Sequence, residues 1–420
     1  MAYGEKRTYD KRAKKWRYRG RYKLPNGKWG SVSRDDNGQP FYTEKSAEDF
    51  AHGLEVDVRR KTFINPRDGR ITVEMWAQQW LDSIDVGPLS EKEYRLRLKN
   101  RVLPEWGAVA IGDLSPVGIA AWEKGLRVRV SKNYADAVIS TFRTMLDDAV
   151  LEKIRLDNPV GTRKSGRRGR YKPKPKDEKV IATPRQALLV ARNALEMRGL
   201  NEYALVLTSA YTGFRIGELA GIHRSQLALN DSGDGARIHL SQQSQYVNGE
   251  FTEIDPKYDS GRGLIIPPFL AELLQRLAAT RPKSEWVFTA PSGGRLIRGG
   301  DWYAETWRPI VDGRSARPVV RGAKARQGVR PVVGVGGMVP HGLRHSHKVW
   351  LDEGGHPRVA VEERMGHALQ GIEGTYSHVT LAMELKIAES LQSLWEGSLR
   401  PVVDRREYGP IPPWIPPQRS

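Results

Sequence analysis

The sequence predicts a multidomain protein, mainly α-helical with small β-sheets. Three observations lead to that class. At 420 residues the chain is too long for one ordinary core, so two or three domains are expected. Apolar residues recur at helical spacing through most of the chain, while strand-like patterning is limited to short segments. A stretch rich in Gly, Pro and cations at 162–180 separates two blocks of helical pattern. The expected division is a three-stranded sheet domain at 1–66, a helical domain at 67–161, a basic linker at 162–180, an α+β domain at 181–400 and a Pro-rich tail at 401–420.

In the first segment, Lys15–Lys23 alternates strictly. Trp16, Tyr18 and Tyr22 fall on one face of a strand, and Arg17, Arg19, Arg21 and Lys23 on the other. Asn26-Gly27 marks a hairpin turn, Trp29–Ser33 the return strand, and Phe41-Tyr42 a third strand. Thr43 caps a helix to about Arg60. The aromatic face needs a cover, and the cationic face fits a DNA groove or a line of phosphates. A solvated face over an aromatic mini-core is the plainer reading.

The helical segment shows Thr72 as a cap for a helix through Trp76 and Trp80. Ser90 and Glu93 form a capping box for a helix that stops near Pro104. Ser115-Pro116 opens a third helix, and Ser131 precedes a fourth with the stripe Val138, Phe142, Met145, Leu146 and Ala149. The linker cations Arg163, Lys164, Arg167 and Arg168 are DNA-backbone candidates, although most charge runs are simply solvated. Thr183 and Gln186 form a second capping box, and helical pattern runs on through Leu207. Gly213 ends it and Arg215 opens the next helix, with Glu218 on the same side. Strands follow at Ala236–Leu240, Tyr246–Ile254 and Gly263–Ile266, then a helix at Pro268–Ala278. Residues 312–337 read as a loop or insertion, and Leu381–Trp395 as an amphipathic helix.

The net charge of +19 points to a polyanion, most simply nucleic acid. The absence of cysteine excludes disulfides, cysteine-based zinc sites and thiol catalysis, and suits a reducing compartment. No apolar run is long enough for a membrane span, and MAYGEKRTYDKRAKK lacks the apolar core of a signal peptide. The expected location is the cytoplasm of a bacterial cell, at the nucleoid.

The chemistry-bearing stretch is His341 to Tyr376, joined by Arg215 and Lys257 upstream. Arginines grip phosphate with a planar fork of donors, and histidines donate hydrogen bonds or move protons near neutral pH. Tyrosine is a possible covalent nucleophile. Its pKa of about 10 makes ionisation near pH 7 cost about 4 kcal/mol, so a neighbouring base or cation is required. His341, Arg344 and His367 meet that need. Lys257, in a turn between strands, is a candidate general acid. The inferred substrate is a phosphodiester. Two other readings stay open: a metal site built on His341, His345 and His347, and a DNA-binding regulator without activity.

The motifs TGFRIGELAGI, HGLRHS, and MGH with a tyrosine nine residues beyond its histidine resemble the three boxes of the tyrosine recombinases, the phage-type integrases. Phe214 and Met365 stand where leucine is usual. The resemblance implies an arm-binding N-terminal domain, a helical core-binding (SAM-like) domain and an α+β catalytic domain. It implies that Tyr376 attacks the scissile phosphate to form a 3′-phosphotyrosine. Arg215 and Arg344 then clamp the non-bridging oxygens, Lys257 protonates the leaving 5′-oxygen, and His341 and His367 assist. Glu218 supports. No cofactor or metal is implied. The implied partners are double-stranded DNA attachment sites and a homotetramer formed on them, with room for host DNA-bending or excision factors. A chromosome-dimer resolvase is the nearer competitor within the family, and residues 1–66 favour an integrase.

Overall fold

The computed structural model describes residues 1–35, 38–60, 63, 68–160, 179–229, 234–256, 260–290, 292–296, 299–319, 325–367 and 378–400. The chain divides into two compact units, Met1–Lys172 and Pro173–Ser420. No described helix is long and apolar enough to cross a membrane.

The first unit opens with a sheet of β1 (Tyr3–Asp10), β2 (Lys15–Lys23) and β3 (Trp29–Val32), antiparallel in the order β1-β2-β3. Helix α1 (Glu44–Arg60) covers one face, and Thr43 caps it through the Ser46 N–H. A Cβ on Gly20 would lie 2.3 Å from the Ala47 carbonyl oxygen, so glycine here admits the helix backbone. Tyr22, Phe41, Ala47, Ala51 and Phe63 form this core.

Three expectations change. The third strand is β1, whose polar residues on both faces hide it from a periodicity search; Phe41 makes only an isolated bridge to Tyr18. Trp16 is 43% exposed, edge-on to Tyr9 with the Lys6 ammonium 4.1 Å above its ring. The cationic face is partly neutralised, because β1 sets Asp10 and Glu5 against it. Arg17 pairs with Asp10, and Arg19 with Glu5 at 2.6 Å. Arg21 stands 3.9 Å from Glu5, and the Lys23 ammonium lies 5.7 Å from the Trp29 ring.

A second apolar cluster gathers α2 (Val73–Ser83), α3 (Pro88–Arg97), α4 (Leu103–Trp106), α5 (Pro116–Arg129) and α6 (Lys132–Leu151). Thr72, Ser115 and Ser131 cap as expected, and the stripe of α6 is buried. The indoles of Trp76 and Trp80 donate to the Met145 carbonyl and to Asp148, tying α2 to α6. Ser90 does not cap: α3 begins one turn earlier, with Pro88 in its first turn. Nor does Pro104 end the run. A π-turn at Leu98–Val102 precedes it, which widens the ladder where the proline lacks its N–H and continues into α4.

The second unit begins at α7 (Pro184–Arg198), with the Thr183–Gln186 capping box intact. Gly199, at φ +92°, then splits the helical run, and α8 (Leu200–Thr212) is buried from Asn201 onward. Gly213 turns the chain at φ +68° into α9 (Ile216–Ala220). After β4 (Leu227–Ala228), β5 (Arg237–Leu240) pairs with β8 (Arg262–Ile265). The segment read as one strand at 246–254 is a hairpin, β6 (Gln243–Val247) and β7 (Glu250–Ile254), because Asn248 and Gly249 both adopt positive φ.

Helix α10 (Pro268–Thr280) packs on α15 (Leu381–Leu399) through stacked Phe269 and Trp395 rings 4.2 Å apart. Between them lie α11 (Gly300–Trp302), α12 (Arg308–Asp312), α13 (His341–Glu353) and α14 (Arg358–Met365). The stretch expected as a loop is paired at its base, Arg314 with Val329 and Arg317 with Arg326. Its later valines, Val332 and Val335, are buried in the main core.

Gly213 combines positive φ with crowding: an added Cβ would meet the His347 ring at 2.8 Å and the Met365 sulfur at 3.0 Å. Gly355 has φ +66° and open space. Gly213→Ala should therefore lower unfolding free energy by about 1–3 kcal/mol more than Gly355→Ala does, since overpacking adds to the shared backbone strain. Urea denaturation of the two variants measures the difference; equal losses would contradict it.

Candidate functional site

The turn at Gly213 places Arg215 at the head of α9, in extended conformation. Glu218, one turn on, accepts from the Arg215 N–H at 2.9 Å and from its guanidinium at 2.7 Å. Glu218 is fully buried, which sets aside the plain surface pair. Its other contact is Arg262 of β8 at 3.1 Å. Burial pushes the Glu218 carboxyl up, but the Arg262 charge and the bonds from Arg215 outweigh it and hold it below the usual range.

Arg344 sits on the first turn of α13, three residues after His341, and is 2% exposed. It donates to the Gly213 carbonyl at 2.7 Å, to the Met365 carbonyl, and to His367 Nε2 at 2.9 Å. Desolvation first, then the Arg215 charge, bring its pKa down to about 10. His367 follows Gly366, which ends α14 at φ +65°. Its Nδ1 lies 2.7 Å from Glu362, and Glu362 also binds the Lys348 ammonium at 2.8 Å.

His341 packs edge-on against His345, with ring centres 4.7 Å apart. Its pKa falls to about 4: desolvation leads, although part of the residue meets solvent, followed by His345, Arg344 and Arg215. At neutral pH the ring is therefore uncharged.

Arg215, Arg344, His341 and His367 thus come together from α9, α13 and the end of α14, with Glu218 beneath Arg215. Residues 185–383 match the phage integrase family. This part of the chain is similar to the phage integrase domain. The integrase of Mycobacterium phage L5 is 24% identical over 277 residues, covering 62% of this chain and 70% of that one. The integrase of Mycobacterium phage D29 is 24% identical over 217 residues, and the match spans 54% of its length. The Tn1549 transposon integrase, solved in complex with transposon right end DNA, shares the fold at TM-score 0.54 and 17% identity, covering 76% of this chain and 99% of that one.

Three residues of this region escaped the sequence reading. The Arg262 side chain is buried and also donates to the Arg364 and Ser260 carbonyls, both at 2.9 Å. Arg364 is buried too, and binds the Ile265 and Tyr211 carbonyls and His347 Nε2. Desolvation brings its pKa to about 10. Glu362 is the third. The two arginines carry no local signal: a buried arginine among apolar residues looks like a surface cation until the backbone oxygens it serves are placed.

The metal reading fails on His347. Its Nδ1 bonds the Ala210 carbonyl at 2.9 Å and its Nε2 accepts from Arg364 at 3.1 Å, so neither nitrogen is open. Among the described residues no three metal-ligating side chains stand together. Lys257, Tyr376, Arg163, Lys164, Arg167 and Arg168 lie outside the described residues.

The depressed pKa of His341 has a signed consequence. Between about pH 6.5 and 4 the unfolded chain protonates this ring and the folded chain does not. The contribution to stability is therefore full above about 6.5 and declines as pH falls to about 4. Nitrogen-15 NMR of the ring should give a midpoint near 4 in the DNA-free protein. A midpoint at the ordinary value would refute the crowding.

Proposed function

We propose that the chain is a site-specific tyrosine recombinase of the integrase type. It cleaves and rejoins double-stranded DNA through a 3′-phosphotyrosine, integrating or excising a phage or other mobile element. The observation that carries this reading is the convergence of Arg215, Arg344 and His367, with Glu218 holding Arg215 from below.

In this reading the Tyr376 hydroxyl loses its proton, its oxygen bonds to phosphorus, and the bond from phosphorus to the 5′-oxygen breaks. Lys257 gives a proton to the departing oxygen. Arg215 and Arg344 donate to the non-bridging oxygens, where negative charge grows in the transition state. Glu218 fixes the Arg215 fork before substrate arrives, so little reorganisation is needed. His341, uncharged at neutral pH, serves as a hydrogen-bonding group or proton acceptor. A 5′-hydroxyl from the partner duplex then loses its proton and bonds to phosphorus, the bond from phosphorus to the Tyr376 oxygen breaks, that oxygen regains a proton, and the phosphodiester is restored without a nucleotide. Paired exchange on two duplexes calls for a homotetramer on DNA, and host bending or excision factors would act on that assembly.

Residues 1–66 are proposed to bind a separate arm-type site, 67–161 the crossover core, and 181–400 to carry catalysis, with 162–180 linking the last two. Arg17 and Arg19 are engaged by Asp10 and Glu5, so phosphate contact falls more to Arg21 and Lys23, beside Trp29 and Tyr3.

On a nicked suicide substrate, wild type should form a covalent protein–DNA adduct in EDTA, and Tyr376→Phe none while still binding DNA. Loss of wild-type cleavage in EDTA would favour a metal nuclease, and a normal adduct from Tyr376→Phe would remove the nucleophile. Arg344→Lys should slow adduct formation by at least about tenfold, because lysine lacks the fork. Full activity in that variant would argue against a clamp.

A further inference from the structure

The geometry points to Glu362 as the positioning residue that fixes the tautomer in which His367 holds the Arg344 guanidinium, an inference that rests on the recombinase reading. Glu362 Oε2 lies 2.7 Å from His367 Nδ1, and its other oxygen takes the Lys348 ammonium at 2.8 Å. An ionised carboxylate only accepts, so Nδ1 carries the hydrogen. On the far side of the ring, Arg344 approaches Nε2 at 2.9 Å, and a guanidinium only donates. Both neighbours therefore demand the same tautomer, with Nδ1–H toward Glu362 and a bare lone pair on Nε2.

The backbone enforces the same placement. The His367 N–H donates to the Glu362 carbonyl at 2.9 Å, closing the end of α14, and Gly366 supplies the left-handed residue this closure needs. Lys348 of α13 holds Glu362 through the carboxylate oxygen that His367 does not use. Burial raises the Glu362 carboxyl, but the bonds from Lys348 and His367 outweigh it and keep the acid ionised.

The consequence is for the phosphate clamp. The Nε2 lone pair accepts from Arg344 at 2.9 Å, so Glu362, acting through His367, holds the guanidinium in place. A carboxylate that keeps a histidine in its working tautomer acts in this way. With the opposite tautomer, Nε2–H would point at the guanidinium and accept nothing.

Ring-nitrogen NMR on histidine-labelled full-length protein, at a pH where the rings are neutral, reads the tautomer directly; His367→Gln assigns the signal. Wild type should show Nδ1–H for His367. Glu362→Ala should shift the ring toward Nε2–H and slow adduct formation at least about tenfold with DNA affinity unchanged. Glu362→Gln, which keeps an accepting oxygen, should retain Nδ1–H and recover part of the rate. An Nε2–H ring in wild type, or a Glu362→Ala protein with unchanged tautomer and rate, would overturn the assignment. The spectrum needs no turnover, so a chain that never forms an adduct refutes the recombinase reading while the ring still decides Glu362.

Discussion

Everything at the site depends on one buried guanidinium. Arg344 reaches from α13 to the carbonyl of Gly213, to that of Met365, and to His367, so one side chain joins three segments far apart in sequence. A charged group at 2% exposure is costly unless its donors are met, and hydrogen bonds to a charge contribute about 1.5–3 kcal/mol each. The segments come together because the alternative is an unmet cation in the core. The same geometry leaves the guanidinium beside Arg215, a repulsion that helps depress its pKa. A phosphate anion relieves that repulsion.

Arg364 and Arg262 extend the device. Arg364 binds carbonyls from α8 and β8 and the fully buried His347. Arg262 bonds the Arg364 carbonyl and shares Glu218 with Arg215. The interior beneath the site is thus cationic, with Glu218 in direct contact with two of its arginines. Under the proposed recombinase reading, these fixed donors would act by electrostatic stabilisation of charge that develops at set positions. Glu362 and Lys348 do for His367 what Glu218 does for Arg215.

Much of this was legible in residue order. Arg215, Glu218, His341, Arg344 and His367 are recognisable because their chemistry is fixed by type and spacing, and the helix caps at Thr72, Ser131 and Thr183 because capping is local. What stayed hidden is non-local. Strand β1 has no alternation to reveal it, and so the acids opposing Arg17 and Arg19 were missed. The π-turn before Pro104 resolves a conflict that a pattern reads as a stop. Arg262 and Arg364 are defined by partners up to 153 residues away, beyond any window of sequence, whereas Glu362 stands only five residues before His367 in a pairing that no standard helix spacing flags.

The most direct test is the structure of the protein on nicked crossover DNA with orthovanadate at the nick, which mimics the five-coordinate phosphorus. The convergence described here predicts Tyr376 bonded to vanadium, Arg215 and Arg344 donating to its equatorial oxygens, and His367 within hydrogen-bond distance. Vanadate seated away from Arg344, or bound by a different nucleophile, would contradict it.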